Sequence, residues 1–317
     1  MMLVLENIVK HYSETSTFSK NRGAVVQAVD GVSLELAAGE TLGIVGESGC
    51  GKTTLARVAA RLIEPTRGSI RLDGQDITTL RGREMREIRK KIQIIFQDPF
   101  SSLNPRKTVS EIVSEPMIVQ GVDPSGGIES RVKYLLDRVG LNADHLKRYP
   151  HEFSGGQRQR IGIARALALD PKVIVCDEPV SALDVSIQAQ IINLLKDLQE
   201  DLGFSYLFIA HDLNVIRHIS HRVAVMYLGK IVELGTTREV YNNPAHPYTK
   251  ALISSAPHVT DNGLERIVLT GDVPSPINPP SGCRFHTRCW LAQDKCSIEE
   301  PQLIVRTSHE SACHFPQ

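Results

Sequence analysis

The sequence has no net charge and no long basic run, and both absences limit its possible partners. Its 36 Lys and Arg residues balance 36 Asp and Glu residues. Proteins that bind nucleic acid usually carry clustered positive charge, because the phosphate backbone must be neutralised. The composition therefore gives no reason to expect nucleic-acid binding.

A long apolar run, a signal peptide and internal repeats are also absent. No apolar segment reaches the roughly 20 residues that a bilayer-spanning helix needs. The first six residues lack the basic and apolar regions of a secretory signal. We therefore expect a soluble, cytoplasmic protein whose role at a membrane would depend on a partner. The length of 317 residues favours one large domain plus a smaller one.

A glycine-rich segment organises the sequence. Its residues are Gly46, Glu47, Ser48, Gly49, Cys50, Gly51, Lys52 and Thr53, followed by Thr54. They match the pattern G-x-x-x-x-G-K-[ST] of a P-loop. An apolar run at 42–45 predicts a buried strand before the loop. Helical spacing of Leu55, Val58 and Leu62 predicts a helix after it, extending to Ile63.

Each part of this segment suits phosphate binding. The glycines let successive N–H groups point inward, and the helix adds its positive N-terminal end. Lys52 supplies a positive charge for the β- and γ-phosphates, and the Thr53 hydroxyl can ligate Mg²⁺. With both flanks correct, the sequence predicts a nucleoside triphosphate site. For Cys50, a small tolerated residue is the favoured interpretation, and redox sensitivity at a helix N-terminus is the alternative.

Polar side chains follow three other predicted strands. Asp177 and Glu178 follow the apolar run 173–176. Asp177 could hold Mg²⁺, and Glu178 could act as the general base. The alternative for this pair is a solvated acidic turn. His211 follows the strand at 206–210, and Gln97 follows the strand at 92–96. Taken alone, such a histidine is more often structural, and such a glutamine is an ordinary loop residue.

A second glycine turn opens a predicted helix at Ser154. Ser154, Gly155, Gly156 and Gln157 expose N–H groups at the helix start, which is a second potential anion site. This segment lies about twenty residues before Glu178 and resembles the signature motif of ATP-binding cassette (ABC) ATPases. Residues 181–184 (Ser-Ala-Leu-Asp) resemble that family's D-loop. Tyr12 ends a predicted strand and matches the aromatic that stacks on adenine, although such an aromatic is often only packing.

The resemblance implies a fold and an arrangement of subunits. It implies an α/β P-loop nucleotide-binding domain with a parallel-sheet core, an antiparallel β subdomain and a helical subdomain at about 98–165. In the family, Gln97 reaches Mg²⁺ and water, and His211 contacts the γ-phosphate. Two cassettes pair head-to-tail there, each signature closing over the partner's ATP. Catalysis would then depend on Glu178, His211 and Lys52, with Mg²⁺ held by Thr53, Gln97 and Asp177.

Longer stretches are similar to one branch of the family, the dipeptide and oligopeptide importer ATPases. They are 97–106, 148–153, 243–249 and 274–280. Within this branch, the sequence resembles the second ATPase subunit of the dipeptide permease. This implies a second cassette, most simply a different chain, two transmembrane permease subunits and, indirectly, an extracellular or periplasmic substrate-binding protein. The location implied is the cytoplasmic face of the inner membrane.

Other functions of the same class remain open at this point. Nickel, glutathione and other small-peptide importers share this type of ATPase. A soluble ABC ATPase of DNA repair or translation would usually have two fused cassettes or a long coiled coil, and neither is present. A module that binds ATP without hydrolysing it would not be expected to keep Lys52, Asp177, Glu178 and His211.

Most of the cysteines are concentrated near the end of the chain. Of the six, four lie within the last thirty-five residues: Cys283, Cys289, Cys296 and Cys313. Their spacing fits neither the C-x2-C pairs of common zinc sites nor ferredoxins. Four thiolates could hold one Zn²⁺ or a [4Fe–4S] cluster; free thiols or disulfides are alternatives. The resemblance favours the cluster, in a structural role.

Two further expectations concern the layout of the chain. A change of composition near Pro257 places a boundary between an ATPase domain, 1–256, and a C-terminal extension, 257–317. Asp30-Gly31 is a turn signal, so residues 25–36 are expected to form two strands. His286, His309 and His314 lie near the cysteines and could replace one of them as ligands.

Overall fold

The computed structural model describes residues 1–13, 24–98, 102–255, 267–306 and 308–317. These residues divide into two compact units. The first unit comprises Met1–Leu3, Leu36–Glu40 and Leu72–Leu207. The second comprises Val4–Glu35, Thr41–Arg71 and Phe208–Gln317. The predicted boundary near Pro257 and the importer-like residues 99–101 lie outside the described residues.

Strands and helices alternate through much of the chain. The strands are β1 (Leu3–Ser13), β2 (Val25–Leu36), β3 (Thr41–Val45), β4 (Arg67–Leu72), β5 (Gln75–Asp76), β6 (Ile92–Ile95), β7 (Val173–Asp177), β8 (Ser205–Ile209), β9 (Arg222–Tyr227), β10 (Lys230–Thr236), β11 (Ile304–Val305) and β12 (Glu310–Ser311). The helices are α1 (Lys52–Ala59), α2 (Gly82–Lys91), α3 (Val109–Gln120), α4 (Gly127–Arg138), α5 (Gly155–Ala166), α6 (Val185–Leu202), α7 (Leu213–Ile219), α8 (Thr237–Asn242), α9 (Pro247–Ser255) and α10 (Asp294–Ile298). No helix within these described ranges is long and apolar enough to cross a membrane.

The first unit combines short buried strands with a group of helices. Strands β6 and β7 pair in parallel, and every residue of β7 is buried. Helices α3, α4 and α5 pack on one another through apolar faces, with Val113, Leu136 and Ile163 fully inaccessible. These three helices fall in the range predicted for a helical subdomain. The domain limits themselves stay a prediction.

Local signals start and end these helices. A reciprocal capping box between Thr108 and Glu111 begins α3. Gly121, with φ of 64°, ends it in the left-handed conformation that glycine adopts without strain. Helix α4 buries Val132, Leu135 and Leu136, and Gly140 follows it with φ of 70°.

The second unit contains strands from distant parts of the chain. Its strands follow the order β11-β12-β10-β9-β3, in which β3 and β9 are parallel and the other pairs are antiparallel. Strands β2, β1 and β4 are neighbours in another sheet. A tight turn through Leu228 and Gly229, both with positive φ, joins β9 to β10 as a hairpin. The C-terminal residues thus add strand β12 to the edge of β10.

Two predictions about local structure were wrong. Residues 25–36 form one continuous strand, because Gly31 takes a φ of 74° within it and the Asp30 side chain makes ion pairs instead of closing a turn. The helix after the P-loop ends at Ala59, since Arg61 adopts a left-handed φ of 53°. Leu62 is consequently 46% exposed and does not join the buried face.

Candidate functional site

The P-loop connects β3 to α1 in the predicted order. Gly46, Gly49 and Gly51 have φ of 156°, 79° and 109°, which only glycine adopts readily. A Cβ at Gly46 would lie 2.1 Å from the Met226 carbonyl oxygen, and one at Gly51 would lie 2.0 Å from the Ala28 carbonyl oxygen. The loop is therefore pressed against two neighbouring strands and excludes larger residues at both positions.

Lys52 lies over its own loop. Its Nζ donates to the carbonyl oxygens of Gly46 at 2.7 Å and Glu47 at 2.9 Å, and the residue is 4% exposed. Nζ also donates to Cys50 Sγ at 3.8 Å. None of these three partners is a carboxylate, so the buried ammonium provides a concentrated positive charge inside the loop. Thr53 and Thr54 are half-buried in the first turn of α1, while Ser48 and Gly49 are exposed at the tip of the loop.

Cys50 is a buried structural thiol. Burial raises its pKa above the ordinary value, although the nearby Lys52 charge acts in the opposite direction. A thiol that stays protonated is a poor nucleophile and a poor redox sensor. The favoured interpretation of Cys50 as a small tolerated residue is therefore the one supported by its surroundings.

Two further predicted residues belong to the same unit as the P-loop. His211 is exposed and follows β8, and the amide of Ala210 donates to the Ile44 carbonyl beside it. Tyr12 ends β1 and is 41% exposed, with the Lys10 ammonium 5.2 Å from its ring centroid. An exposed ring is what base stacking requires, but the adenine role of Tyr12 stays a prediction.

The carboxylates lie at the end of β7 in the first unit. Asp177 is 3% exposed, and Glu178 has a left-handed φ of 49°. A non-glycine residue in this conformation carries strain, which is often found at functional positions. Gln97 Nε2 donates to Glu178 Oε2 at 3.1 Å, so two residues predicted from separate motifs are in contact.

The signature segment is held by its own cap. The Ser154 hydroxyl accepts from the Gln157 amide at 3.3 Å, and Gln157 Oε1 accepts from the Ser154 amide at 3.0 Å. A Cβ at Gly156 would lie 2.6 Å from a methyl group of Ile187 on α6, so a glycine is needed for the close packing there. Ser154 and Gly155 remain exposed at the helix start.

The four C-terminal thiols line one small cavity of about 10 Å³, together with Phe285 and several histidines. Burial and the neighbouring thiols raise the pKa of Cys283 to about 12. Burial also raises the pKa of Cys289 and of Cys313. The donor types suit a metal, but no group of three or more potential ligands in the described part of the chain is arranged to hold one. The predicted metal site is therefore not confirmed.

Sequence reasoning missed two residues that hold the P-loop. The Tyr248 hydroxyl accepts from the Glu47 amide at 2.8 Å, so this amide is already engaged. The Arg288 guanidinium donates to both carboxylate oxygens of Glu47, at 2.7 and 3.1 Å. No sequence pattern links these residues, because they lie 201 and 241 positions from Glu47.

A strand–glycine loop–helix unit with a buried lysine defines a P-loop nucleotide-binding protein. Comparisons with known proteins narrow this class. Residues 29–181 match the model of the ABC transporter family, and residues 232–296 match that of the oligopeptide/dipeptide transporter C-terminal region. The oligopeptide transport ATP-binding protein AppF of Bacillus subtilis is 54% identical over 99% of this chain and 97% of its own length. OppF of Salmonella typhimurium is 56% identical over 91% of this chain and 87% of its own.

Solved structures agree with this match. The dimeric ATP-binding cassette MJ0796 bound to ADP and Pi has a TM-score of 0.66 and 32% identity, covering 75% of this chain and 99% of that one. CbiO1 of Clostridium perfringens has a TM-score of 0.65 and 29% identity, covering 76% and 90%. The chain belongs to the ABC transporter family and, within it, to the ATP-binding proteins of peptide importers. The predicted family, cassette fold and ATPase class are confirmed.

Proposed function

We propose that this chain hydrolyses ATP to drive the import of di- or oligopeptides through a membrane permease. The observation that carries the proposal is the formed P-loop, with Lys52 buried over its own carbonyl groups. The match to peptide-import proteins over almost the whole chain supports the peptide substrate class. The P-loop amides and Lys52 would bind the phosphates, and Thr53, Asp177 and Gln97 would hold Mg²⁺, which would neutralise phosphate charge.

Hydrolysis needs a base and an aligned water. In the proposed step, Glu178 accepts a proton from water while the water oxygen bonds to the γ-phosphorus. The bond between that phosphorus and the bridging oxygen breaks, which releases ADP. Gln97 fixes the orientation of the Glu178 carboxylate through its 3.1 Å hydrogen bond. His211 would align the water, and Tyr12 would stack on adenine.

Replacing Glu178 by Gln tests the base directly. The amide keeps the shape of the side chain but cannot accept the proton, so turnover should fall by at least ~100-fold while ATP affinity is retained. Steady-state ATPase rates and nucleotide titration measure the two quantities. Glu200→Gln, which removes an exposed carboxylate from α6, is the matched control. A Glu178→Gln variant with full turnover would contradict the assignment.

The proposed partners are a second cassette in head-to-tail pairing, two permease subunits and, indirectly, a substrate-binding protein. Dimerisation of the solved cassette MJ0796 supports the pairing. The chain would then act at the cytoplasmic face of the inner membrane. Affinity purification of the tagged chain from membranes, followed by mass spectrometry, should recover another cassette and two permease subunits. Recovery of the chain alone would overturn this part of the proposal.

We further propose that Cys283, Cys289, Cys296 and Cys313 hold a structural [4Fe–4S] cluster, with Zn²⁺ as the alternative. Support comes from the shared cavity and from the raised thiol pKa values, since a cation would offset the cost of ionising grouped, buried thiols. Anaerobic purification with iron, sulfide and zinc analysis tests the proposal. About four irons per chain support the cluster, one zinc supports the alternative, and no metal leaves four free thiols.

A further inference from the structure

Glu47 is an acidic residue within the P-loop. It places a carboxylate in a loop that, in the proposed function, surrounds a triphosphate. Like charges at short range repel, and the repulsion is stronger where water is partly excluded. The Glu47 side chain is only 25% exposed, so solvent screens it incompletely. A loop with this sequence therefore needs a compensating positive charge in addition to Lys52.

Arg288 provides that charge from the C-terminal part of the chain. Its two terminal nitrogens donate to the two oxygens of Glu47, at 2.7 and 3.1 Å, in the bidentate geometry that guanidinium and carboxylate favour. The Arg288 side chain is 7% exposed. The hydrogen bonds to Glu47 hold the pKa of Arg288 above its ordinary value, so the guanidinium stays charged.

Aromatic residues fix Arg288 in this position. Phe285, which is fully buried, packs edge-on against Tyr227 with ring centroids 5.2 Å apart, and it also contacts Tyr248. The Arg288 amide donates to the Phe285 carbonyl at 3.0 Å, and its guanidinium lies 6.0 Å from the Tyr227 ring centroid. The same Tyr248 accepts from the Glu47 amide, so both the backbone and the side chain of Glu47 are held by this cluster.

We propose that Arg288 is a positioning residue of the nucleotide site: it neutralises Glu47 and fixes its orientation, so that the P-loop can accept a triphosphate. The proposal rests on the proposed ATPase function. It adds Arg288, from the C-terminal part of the chain, to the residues that form the nucleotide site. Arg288 acts through Glu47, not by touching the reacting atoms. Its effect should therefore appear in the affinity for ATP and in KM more than in kcat.

The test is a double-mutant cycle on Glu47 and Arg288, in which the ATP affinity of each full-length variant is measured. Arg288→Gln leaves Glu47 unbalanced, and ATP binding should weaken roughly tenfold. Glu47→Gln leaves Arg288 unbalanced, and ATP should bind more tightly than to the wild type. The double variant restores neutrality, and its affinity should return to within about threefold of the wild type. Lys295→Gln removes an exposed charge from the same segment and is the control.

The outcomes separate charge compensation from a purely structural role. If Arg288 only stabilised the fold, both single variants and the double variant would bind ATP more weakly, and that result would overturn the proposal. Unchanged affinity in Arg288→Gln would overturn it as well. If Arg288→Gln does not fold, Arg288→Lys serves as the second variant, because it keeps the positive charge but loses the bidentate geometry. ATP affinity within about threefold of the wild type supports charge compensation, and a roughly tenfold loss in Arg288→Lys would contradict it. A wild-type chain that fails to bind ATP would instead defeat the proposed function.

Discussion

The P-loop and the segment at Ser154 are both glycine-rich turns that open a helix, but different parts of the chain hold them. At Ser154 the stabilising contacts come from Gln157, three residues away. Helix α1 has no side-chain cap at its start, and the P-loop is held by Tyr248 and Arg288, more than 200 residues away. The turn at Ser154 is therefore fixed by local sequence, and the P-loop is fixed by the tertiary structure around it.

The two turns also use their glycines differently. Gly51 has a φ of 109° and no room for a Cβ, whereas Gly155 begins α5 without a positive φ, and a Cβ there would meet only the end of the Leu183 side chain at 3.2 Å. A flexible side chain can move aside, but a backbone carbonyl cannot move without disturbing its strand. Glycine is thus a strict requirement at Gly51 and only a preference at Gly155.

The largest effect should come from substituting these glycines. Gly51→Ala forces both a strained φ and a clash with a backbone carbonyl, so we expect a loss of about 3 kcal/mol or more in folding stability and loss of ATP binding. Gly155→Ala should change stability by less than about 1 kcal/mol, because alanine favours helix. Urea unfolding measures both. Equal losses of stability at the two positions would show that glycine is required equally in both turns.

The next largest effect should come from breaking the buried contact between Glu233 and His309, which lie in the same unit as the P-loop. Glu233 is fully buried and accepts from the amides of Ala245 and His246 and from His309 Nε2 at 2.6 Å. His309→Ala removes one partner of a buried charged pair, so a loss of about 3 kcal/mol in unfolding free energy is expected. His218→Ala, on the exposed side of α7, should cost under about 0.5 kcal/mol. A negligible loss in His309→Ala would show that this link does not stabilise the unit.

The same pair predicts a pH dependence. The hydrogen bond to Glu233, together with the charge of Glu239, raises the pKa of His309 above its ordinary value near 6.5. Its stabilisation is therefore complete below about pH 6.5 and is lost as the pH rises through the folded pKa. Burial holds the pKa of His246 at about 4, so it stays neutral in this range. The difference in stability between wild type and His309→Gln should shrink from pH 6 to pH 9; a constant difference would exclude the charged pair.

The smallest effect is expected at the signature cap. Ser154→Ala removes the acceptor for the Gln157 amide, and loss of such a cap typically costs about 1 kcal/mol. Ser154→Thr keeps the hydroxyl and should recover most of that loss. Thermal unfolding compares the three proteins. If Ser154→Ala matched Ser154→Thr, the segment would depend on contacts beyond its cap.

Much of the fold could be predicted from the sequence where the signal was local. The apolar runs at 173–176 and 206–210 predicted β7 and β8, and both strands are fully buried. The two wrong predictions, a strand break at Gly31 and a helix through Leu62, also rested on local signals. Strand β2 continues through Asp30 and Gly31, with Asp30 paired to Arg284, and the left-handed Arg61 ends α1 before its apolar pattern ends.

The candidate site shows the same division. The motif residues could be predicted because each follows a strand or opens a helix in a recognisable order, and the contact between Gln97 and Glu178 agrees with that order. The contact between Glu47 and Arg288 could not be predicted, since neither residue forms part of a periodic pattern that links the two positions. The four cysteines were conspicuous in the sequence, but their spacing did not reveal that Arg288, beside Cys289, reaches the P-loop.

Hydrogen–deuterium exchange of the P-loop is the most direct test of the claim that distant residues hold it. In the wild type, the Glu47 amide should exchange slowly because it donates to the Tyr248 hydroxyl. Tyr248→Phe and Arg288→Gln should each raise exchange across residues 46–53, whereas Ser154→Ala should raise it only at the start of α5. Unchanged P-loop exchange in Tyr248→Phe and Arg288→Gln would contradict the account.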